Sequence, residues 1–247
     1  MGQRVSVGQS QFSDALRLSR EEAQGGVTTF LPPAGRLHPR AEEPWHLHVA
    51  EIDPAHTPRR VEFLLRLLDL VGALAMLLLA FPIMLVSAVV IKLTSPGPAL
   101  YKQERVGKNG KLFFLYKFRT MIQDAEKHVG PVWAERNDAR VTSVGRILRR
   151  TRLDELPQLF NILRGDMSLV GPRPERPFFV QRHKALQGVR LAVKPGLTGL
   201  AQVRAYYDLK PAHKVKYDYL YIQKRSLLLN LYILLQTIPV LFAKKGW

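Results

Sequence analysis

From Leu70 through Ile91 the sequence runs for 22 residues without an ionisable side chain. At 1.5 Å per residue that is roughly 33 Å of helix, enough to cross the hydrocarbon core of a bilayer. No other feature restricts the fold as much. At that depth the backbone must satisfy its own N–H and C=O groups, and a single segment does so only as helix. The run lies well inside the sequence and lacks a small-residue cleavage site, which argues against a secretory signal peptide. Pro82 sits near its centre, where a proline kinks a spanning helix or turns a re-entrant one back. Arg59, Arg60 and Arg66 precede the run, and Lys92, Lys102 and Arg105 follow it. If Lys and Arg mark the cytoplasmic side, both ends lie there. The expectation is a re-entrant membrane helix over 59–94, broken at Pro82.

A second apolar stretch, Leu227 to Phe242, contains Asn230, Gln236 and Pro239. Its length of roughly 24 Å falls short of a span. Tyr217, Tyr219, Tyr221, Lys224 and Arg225 come before it, and Lys244, Lys245 and Trp247 after. Aromatics and cations beside an apolar face suit an interfacial amphipathic helix, with an ordinary core helix as the alternative. The sequence has no cysteine, so disulfide frameworks and thiolate metal sites are excluded. Its net charge of +17 is uneven: residues 1–60 carry seven basic and seven acidic side chains, so the whole excess lies beyond them. A region that cationic calls for an anionic partner, whether nucleic acid, lipid headgroups or a phosphorylated substrate.

Residues 1–58 read as a poorly ordered tail rich in proline, and their four histidines as solvated rather than metal-binding. Residues 95–247 read as a catalytic domain ending in the interfacial helix. Within it, Ala99–Arg105 and Lys111–Arg119 alternate as strands about Gly107-Lys108-Asn109-Gly110, which predicts a hairpin. Residues 123–136 look weakly helical, Thr142–Arg150 form a basic helix, and the chain after Gly165 looks mostly like loop. The fold class is therefore α+β and helix-dominated, a monotopic membrane protein with a re-entrant membrane helix, interfacial amphipathic helices and a small β-hairpin.

Chemistry concentrates between the two apolar stretches. Asp154 and Glu155 follow Arg152 and precede a run in which Leu156, Leu159, Phe160 and Leu163 recur at helical spacing. Pro157 is tolerated only in a first turn, so Asp154 reads as the N-cap and Glu155 as the first helical residue. Two acids there can cap the helix, bind a hard cation, or act as nucleophile beside a bound phosphate. Lys117 and Arg119 share one face of a strand. Gly171-Pro172-Arg173-Pro174 holds an arginine in a rigid loop suited to bidentate phosphate capture. Lys194-Pro195-Gly196-Leu197-Thr198-Gly199 forms a tight turn whose backbone amides add donors.

These segments occur in an order that resembles the bacterial sugar transferase family, the monotopic polyprenyl-phosphate phosphoglycosyl transferases. The resemblance rests on Arg119-Thr120-Met121, Leu153-Asp154-Glu155-Leu156-Pro157-Gln158, Gly165 through Pro174, and Pro195 through Gly199. It covers roughly residues 60–245. It implies transfer of a sugar 1-phosphate from a nucleotide diphosphate sugar, a UDP-sugar, to polyprenol (undecaprenyl) phosphate. Asp154 would be the nucleophile, forming a phosphosugar–enzyme intermediate, and Glu155 would hold Mg2+ with Asp154 beside it. Lys117, Arg119, Arg152, Arg173, Lys194, Gly196 and Thr198 would bind phosphate or substrate. The implied setting is the bacterial inner membrane, with the catalytic domain on the cytoplasmic face, in contact with membrane lipids and not nucleic acid. Association of identical copies is left open. The rival class, a membrane-tethered basic module for nucleic acid or anionic lipid, explains the charge. It gives Asp154 and Glu155 no role, since both would repel a polyanion.

Overall fold

The computed structural model describes residues 57–127, 130, 138–204 and 211–242. The expected tail over 1–58 lies almost wholly outside the described residues. The apolar run forms α1 (Arg59–Thr94), a 36-residue helix that continues through Pro82. Its buried positions, Leu65, Asp69, Ala73, Met84, Ser87 and Ile91, form a stripe along its length. Most of the remaining surface is exposed leucine, valine, isoleucine and phenylalanine, with Leu79 80% and Leu93 81% accessible. An apolar face of that size on a packed body fits contact with lipid.

Both parts of α1 dock onto the same body. In the first part, Arg66 donates from Nη1 to the Ile162 carbonyl (2.7 Å) and from Nη2 to that of Leu163 (2.9 Å). Asp69 accepts from Ser168 Oγ and from the Leu169 amide, each at 2.8 Å. Glu62 pairs with Arg225. At the other end Ser95 caps the helix and accepts two bonds from Arg119 Nη2, at 2.9 Å on its carbonyl and 2.7 Å on its hydroxyl.

The expected hairpin forms from β1 (Leu100–Val106) and β2 (Leu112–Phe118), antiparallel with Leu100 opposite Phe118 and Val106 opposite Leu112. Its turn places Asn109 (φ 55°) and Gly110 (φ 74°) in the left-handed region that matches strand twist. Residues 123–127 form turns, a departure from the helix expected over 123–136, and 128–129 and 131–137 are not described. Helix α2 (Ser143–Thr151) is capped by Thr142, whose hydroxyl accepts from the Gly145 amide at 2.9 Å. Helix α3 (Gln158–Arg164) ends at Gly165 in the left-handed conformation.

The chain beyond Gly165 is more ordered than its turn-rich sequence predicts. It forms β3 (Ser168–Val170), α4 (Pro177–Arg182), β4 (Gly196–Thr198), α5 (Leu200–Arg204), α6 (Pro211–Lys224) and α7 (Leu227–Phe242), joined in part by 3-10 turns. Strands β3 and β4 pair in parallel, Ser168 with Gly196 and Val170 with Thr198. A Cβ on Gly196 would sit 2.0 Å from the Gly171 nitrogen, so only glycine allows this approach. The main core packs Ala73 of α1 with Leu115, Leu159, Ile162, Met167, Leu169, Val170, Tyr221 and Ile233. The second apolar stretch is α7, buried at Asn230 and Ile233 and exposed at Leu228, Leu235 and Ile238.

Candidate active site

The site begins with a reversal of the chain. Arg152 ends α2 at φ 61°, a left-handed conformation that costs a non-glycine residue roughly 1–2 kcal/mol. The reversal feeds a single 3-10 turn, Leu153–Glu155, and α3 starts only after Pro157. Asp154 is therefore not the N-cap expected from the sequence, nor is Glu155 the first residue of α3. Pro157 holds the cap position, and no side chain caps that helix. Both acids are buried, at 7% and 9% exposure, in the wall of a cavity of about 1120 Å³. The cavity matches in size what a drug-sized or larger ligand needs.

The two carboxylates have different surroundings. Glu155 Oε1 accepts from Lys117 Nζ at 3.1 Å and from Arg173 Nη2 at 2.7 Å, and Oε2 takes part in neither bond. Burial alone would push Glu155 up, but Arg173, Lys117 and Arg152 outweigh it and hold the carboxyl well below its usual range. Arg173 is pushed up in turn by the Glu155 charge, whereas burial pushes Lys117 and Arg152 down. Among the described residues, no side chain donates a hydrogen bond to Asp154. Burial, opposed by Lys117 and reinforced by the Glu155 charge, pushes Asp154 up to about 6.

Of the residues expected at the site, Lys117, Arg119, Arg152 and Arg173 line the same cavity as the dyad. Arg119 differs from expectation in spending Nη2 on Ser95, the cap of α1. Lys194, Gly196 and Thr198 lie elsewhere. Lys194 feels the charges of Arg66 and Asp69 on α1 and of Lys108 in the hairpin turn. Gly196 is consumed by its approach to Gly171, and Thr198 shares a 2.8 Å hydrogen bond with Thr237. A Pro-Gly turn that resembles an anion cradle serves here to join two strands. Pro82, expected to break the membrane helix, lies inside α1, which runs as one helix from Arg59 to Thr94.

Several cavity residues carry no local sequence signal. Tyr101, Gln103 and Arg105 enter through the hairpin register, which sets Tyr101 opposite Lys117; extending the alternation argument across the turn finds them. Arg149 donates from Nε to Thr120 Oγ1 at 2.8 Å and contributes to the field on Asp154. Arg190 and Asp218, paired at 2.8 Å and almost fully buried, come from distant segments and no spacing rule joins them. Among the described residues there is no cluster of three or more His, Cys, Asp or Glu that would enclose a metal. An oxygen-preferring ion that keeps most of its water needs fewer protein ligands, and Asp154 with Glu155 Oε2 meets that need.

Among the described residues the cavity thus holds one acid paired to two cations, a second acid without a hydrogen-bond donor, and a cationic wall, an arrangement suited to an anionic ligand. The family model described as bacterial sugar transferase matches residues 60–244, and the chain belongs to that family. It is 42% identical over 207 residues to the UDP-N-acetylgalactosamine-undecaprenyl-phosphate N-acetylgalactosaminephosphotransferase of Aeromonas hydrophila, covering 81% of this chain and 49% of the relative. It is 45% identical over 184 residues to the UDP-glucose:undecaprenyl-phosphate glucose-1-phosphate transferase of Caulobacter vibrioides, covering 71% and 68%. It is 37% identical over 195 residues to the exopolysaccharide production protein ExoY of Rhizobium meliloti, covering 73% and 86%. The chain thus spans about half the length of some relatives and most of others.

Proposed function

We propose that the protein is a phosphoglycosyl transferase that moves a sugar 1-phosphate from a UDP-sugar to undecaprenyl phosphate, releasing UMP, as the first membrane step of surface glycan assembly. The observation that carries this reading is the asymmetry of the dyad: Glu155 is held ionised by Lys117 and Arg173, while Asp154 lines the cavity with no hydrogen-bond donor among the described residues. A nucleophile must keep its oxygen free, and a charge-stabilising partner must not.

In the first step an Asp154 carboxylate oxygen attacks the phosphorus that bears the sugar. The bond from that phosphorus to the bridging oxygen breaks, and UMP departs with the electron pair. In the second step a phosphate oxygen of undecaprenyl phosphate attacks the same phosphorus and expels the Asp154 carboxylate. The product is a polyprenyl diphosphate sugar. Two in-line displacements leave the configuration at phosphorus retained. Arg173, braced in its loop, and Lys117 orient the diphosphate, and the covalent stage separates a soluble donor from a lipid acceptor. Glu155 Oε2 and Asp154 would hold Mg2+, which when bound offsets the charge of the diphosphate.

We place the protein on the cytoplasmic face of the inner membrane, and the position of α1 supports the monotopic part of that reading. Glu62 and Arg66 near one end, and Ser95 at the other, are tied to one polar body. A spanning helix would hold those ends on opposite faces, about 30 Å of hydrocarbon apart. Incubating the purified protein with undecaprenyl phosphate, magnesium and a panel of UDP-sugars tests the reaction. UMP release with one or more donors, lost in Asp154→Asn, is expected. Release that persists in Asp154→Asn, or none with any donor, sinks the proposal.

A further inference from the structure

Gln202 presents an unusual feature of the cavity wall. Its side-chain Oε1 and Nε2 are both buried, and neither has a hydrogen-bond partner among the described residues. Leaving a buried amide unsatisfied costs about 1–3 kcal/mol per group, so such a pair needs an explanation. Space for the amide is provided by Gly199, where a Cβ would come within 2.7 Å of Gln202 Oε1. Gln202 lies on α5, which packs on α6, the helix carrying Val215. Val215 belongs to one apolar cluster with Phe179 and Leu186, and these three line the cavity together with Ala201 and Gln202. These apolar side chains share the cavity lining with the Gln202 amide and with the buried ion pair Arg190–Asp218, whose charged groups already satisfy each other. The cations Arg105, Lys117 and Arg173 line the same cavity.

We infer that Gln202 reads the base of the nucleotide donor, pairing its carboxamide with the imide edge of uracil. Uracil offers the N3–H donor beside the O4 acceptor. The Gln202 oxygen accepts from N3–H, its nitrogen donates to O4, and both orphaned groups are satisfied at once. The apolar side chains then cover the faces of the ring, and the diphosphate extends to the cations. An aliphatic pocket alone discriminates weakly between bases, whereas a site built to hydrogen-bond rejects an analogue lacking those groups. The assignment rests on the UDP-sugar reading and identifies the residue that would make the donor a uridine nucleotide.

The test is calorimetric binding by the full chain, in detergent with magnesium, of UMP and of pyrimidin-2-one riboside 5′-monophosphate. The analogue lacks both N3–H and O4 without adding bulk. Wild type is expected to bind UMP about tenfold more tightly or better, the scale of two neutral hydrogen bonds. Gln202→Leu should bind the two nucleotides equally. Gln202→Glu, which keeps an acceptor and loses the donor, should weaken UMP at least as much and serves if the leucine variant does not fold. Equal binding by wild type, or a preference for UMP that survives in Gln202→Leu, overturns the assignment. Wild type that binds neither nucleotide overturns it by a different route, because the UDP-sugar reading then fails first.

Discussion

Arg190 donates from Nη2 to the backbone carbonyl of Arg173 at 2.5 Å and from Nε to Asp218 at 2.8 Å. Arg105 grips the adjoining Pro174 carbonyl at 2.8 Å. The loop that presents Arg173 to Glu155 is thus held by two buried guanidinium groups and does not depend on proline stiffness alone. Arg190 acts on the site through Arg173, which makes it a positioning residue.

Removing one partner of a buried ion pair costs about 3–5 kcal/mol, mainly because the other charge is stranded. Arg190→Met should therefore lower the melting temperature and the rate together. The double variant Arg190→Met/Asp218→Leu leaves no stranded charge and should regain most of the stability. It should not regain activity, because the Arg173 carbonyl still lacks its donor. Thermal melts and UMP-release rates of the three proteins check this. If the double variant recovers both, Arg190 is merely structural.

Arg173 itself should affect chemistry more than folding, since its side chain is 41% exposed and Lys117 also neutralises Glu155. Arg173→Lys keeps the charge and loses the planar fork, so UMP release should fall at least tenfold with little change in melting temperature. A large loss of stability with unchanged kinetics would contradict this.

Asp154 should carry a cost in stability. An acid whose folded pKa is raised binds a proton more readily when folded, so stability falls as pH rises from its unfolded value, 3.8, toward about 6. At pH 7.5 the penalty is fully present. Asp154→Asn removes it, and the metal-free protein should gain on the order of 1–3 kcal/mol while losing turnover. The gain should shrink to about 0.5 kcal/mol at pH 4. Calorimetry at both pH values decides the matter, and a variant less stable at pH 7.5 would mean that Asp154 is a structural cap after all.

Local pattern made the hairpin and the basic helix that opens at Thr142 legible in the sequence, because alternation, turn chemistry and helical spacing act over a few residues; that Thr142 is the cap and not the first helical residue was not. Glu155 with Lys117 and Arg173 could be grouped by chemistry, though not by distance. The Asp154 cap reading failed because Arg152 adopts a left-handed conformation that inserts an extra turn ahead of Pro157. Lys194, Gly196 and Thr198 looked like an anion cradle because a glycine needed for backbone approach and one needed for a phosphate are identical in sequence. Arg190 with Asp218, and Asp69 with Ser168, join segments far apart in the chain, and only tertiary packing brings them together.

The last prediction concerns α1. Its ends are both tied to the catalytic body, and the helix passes through Pro82, which cannot donate a backbone hydrogen bond. A proline costs about 3 kcal/mol in a helix interior, so Pro82→Leu favours a straight, uninterrupted helix. If Pro82 lets the helix return to the side it entered from, straightening should move part of the population to a spanning form. The Glu62–Arg225 and Arg66 contacts oppose that movement, as do the basic residues Arg59 and Arg60, so the shift should be partial. The 247-residue sequence has no cysteine, so a single Thr57→Cys reports on the N-terminal end of α1 without background. In intact cells an impermeant maleimide should not label it when Pro82 is present and should label it in part when Pro82 is leucine. Labelling from outside with Pro82 in place would show that α1 spans the membrane, and the re-entrant reading would fall.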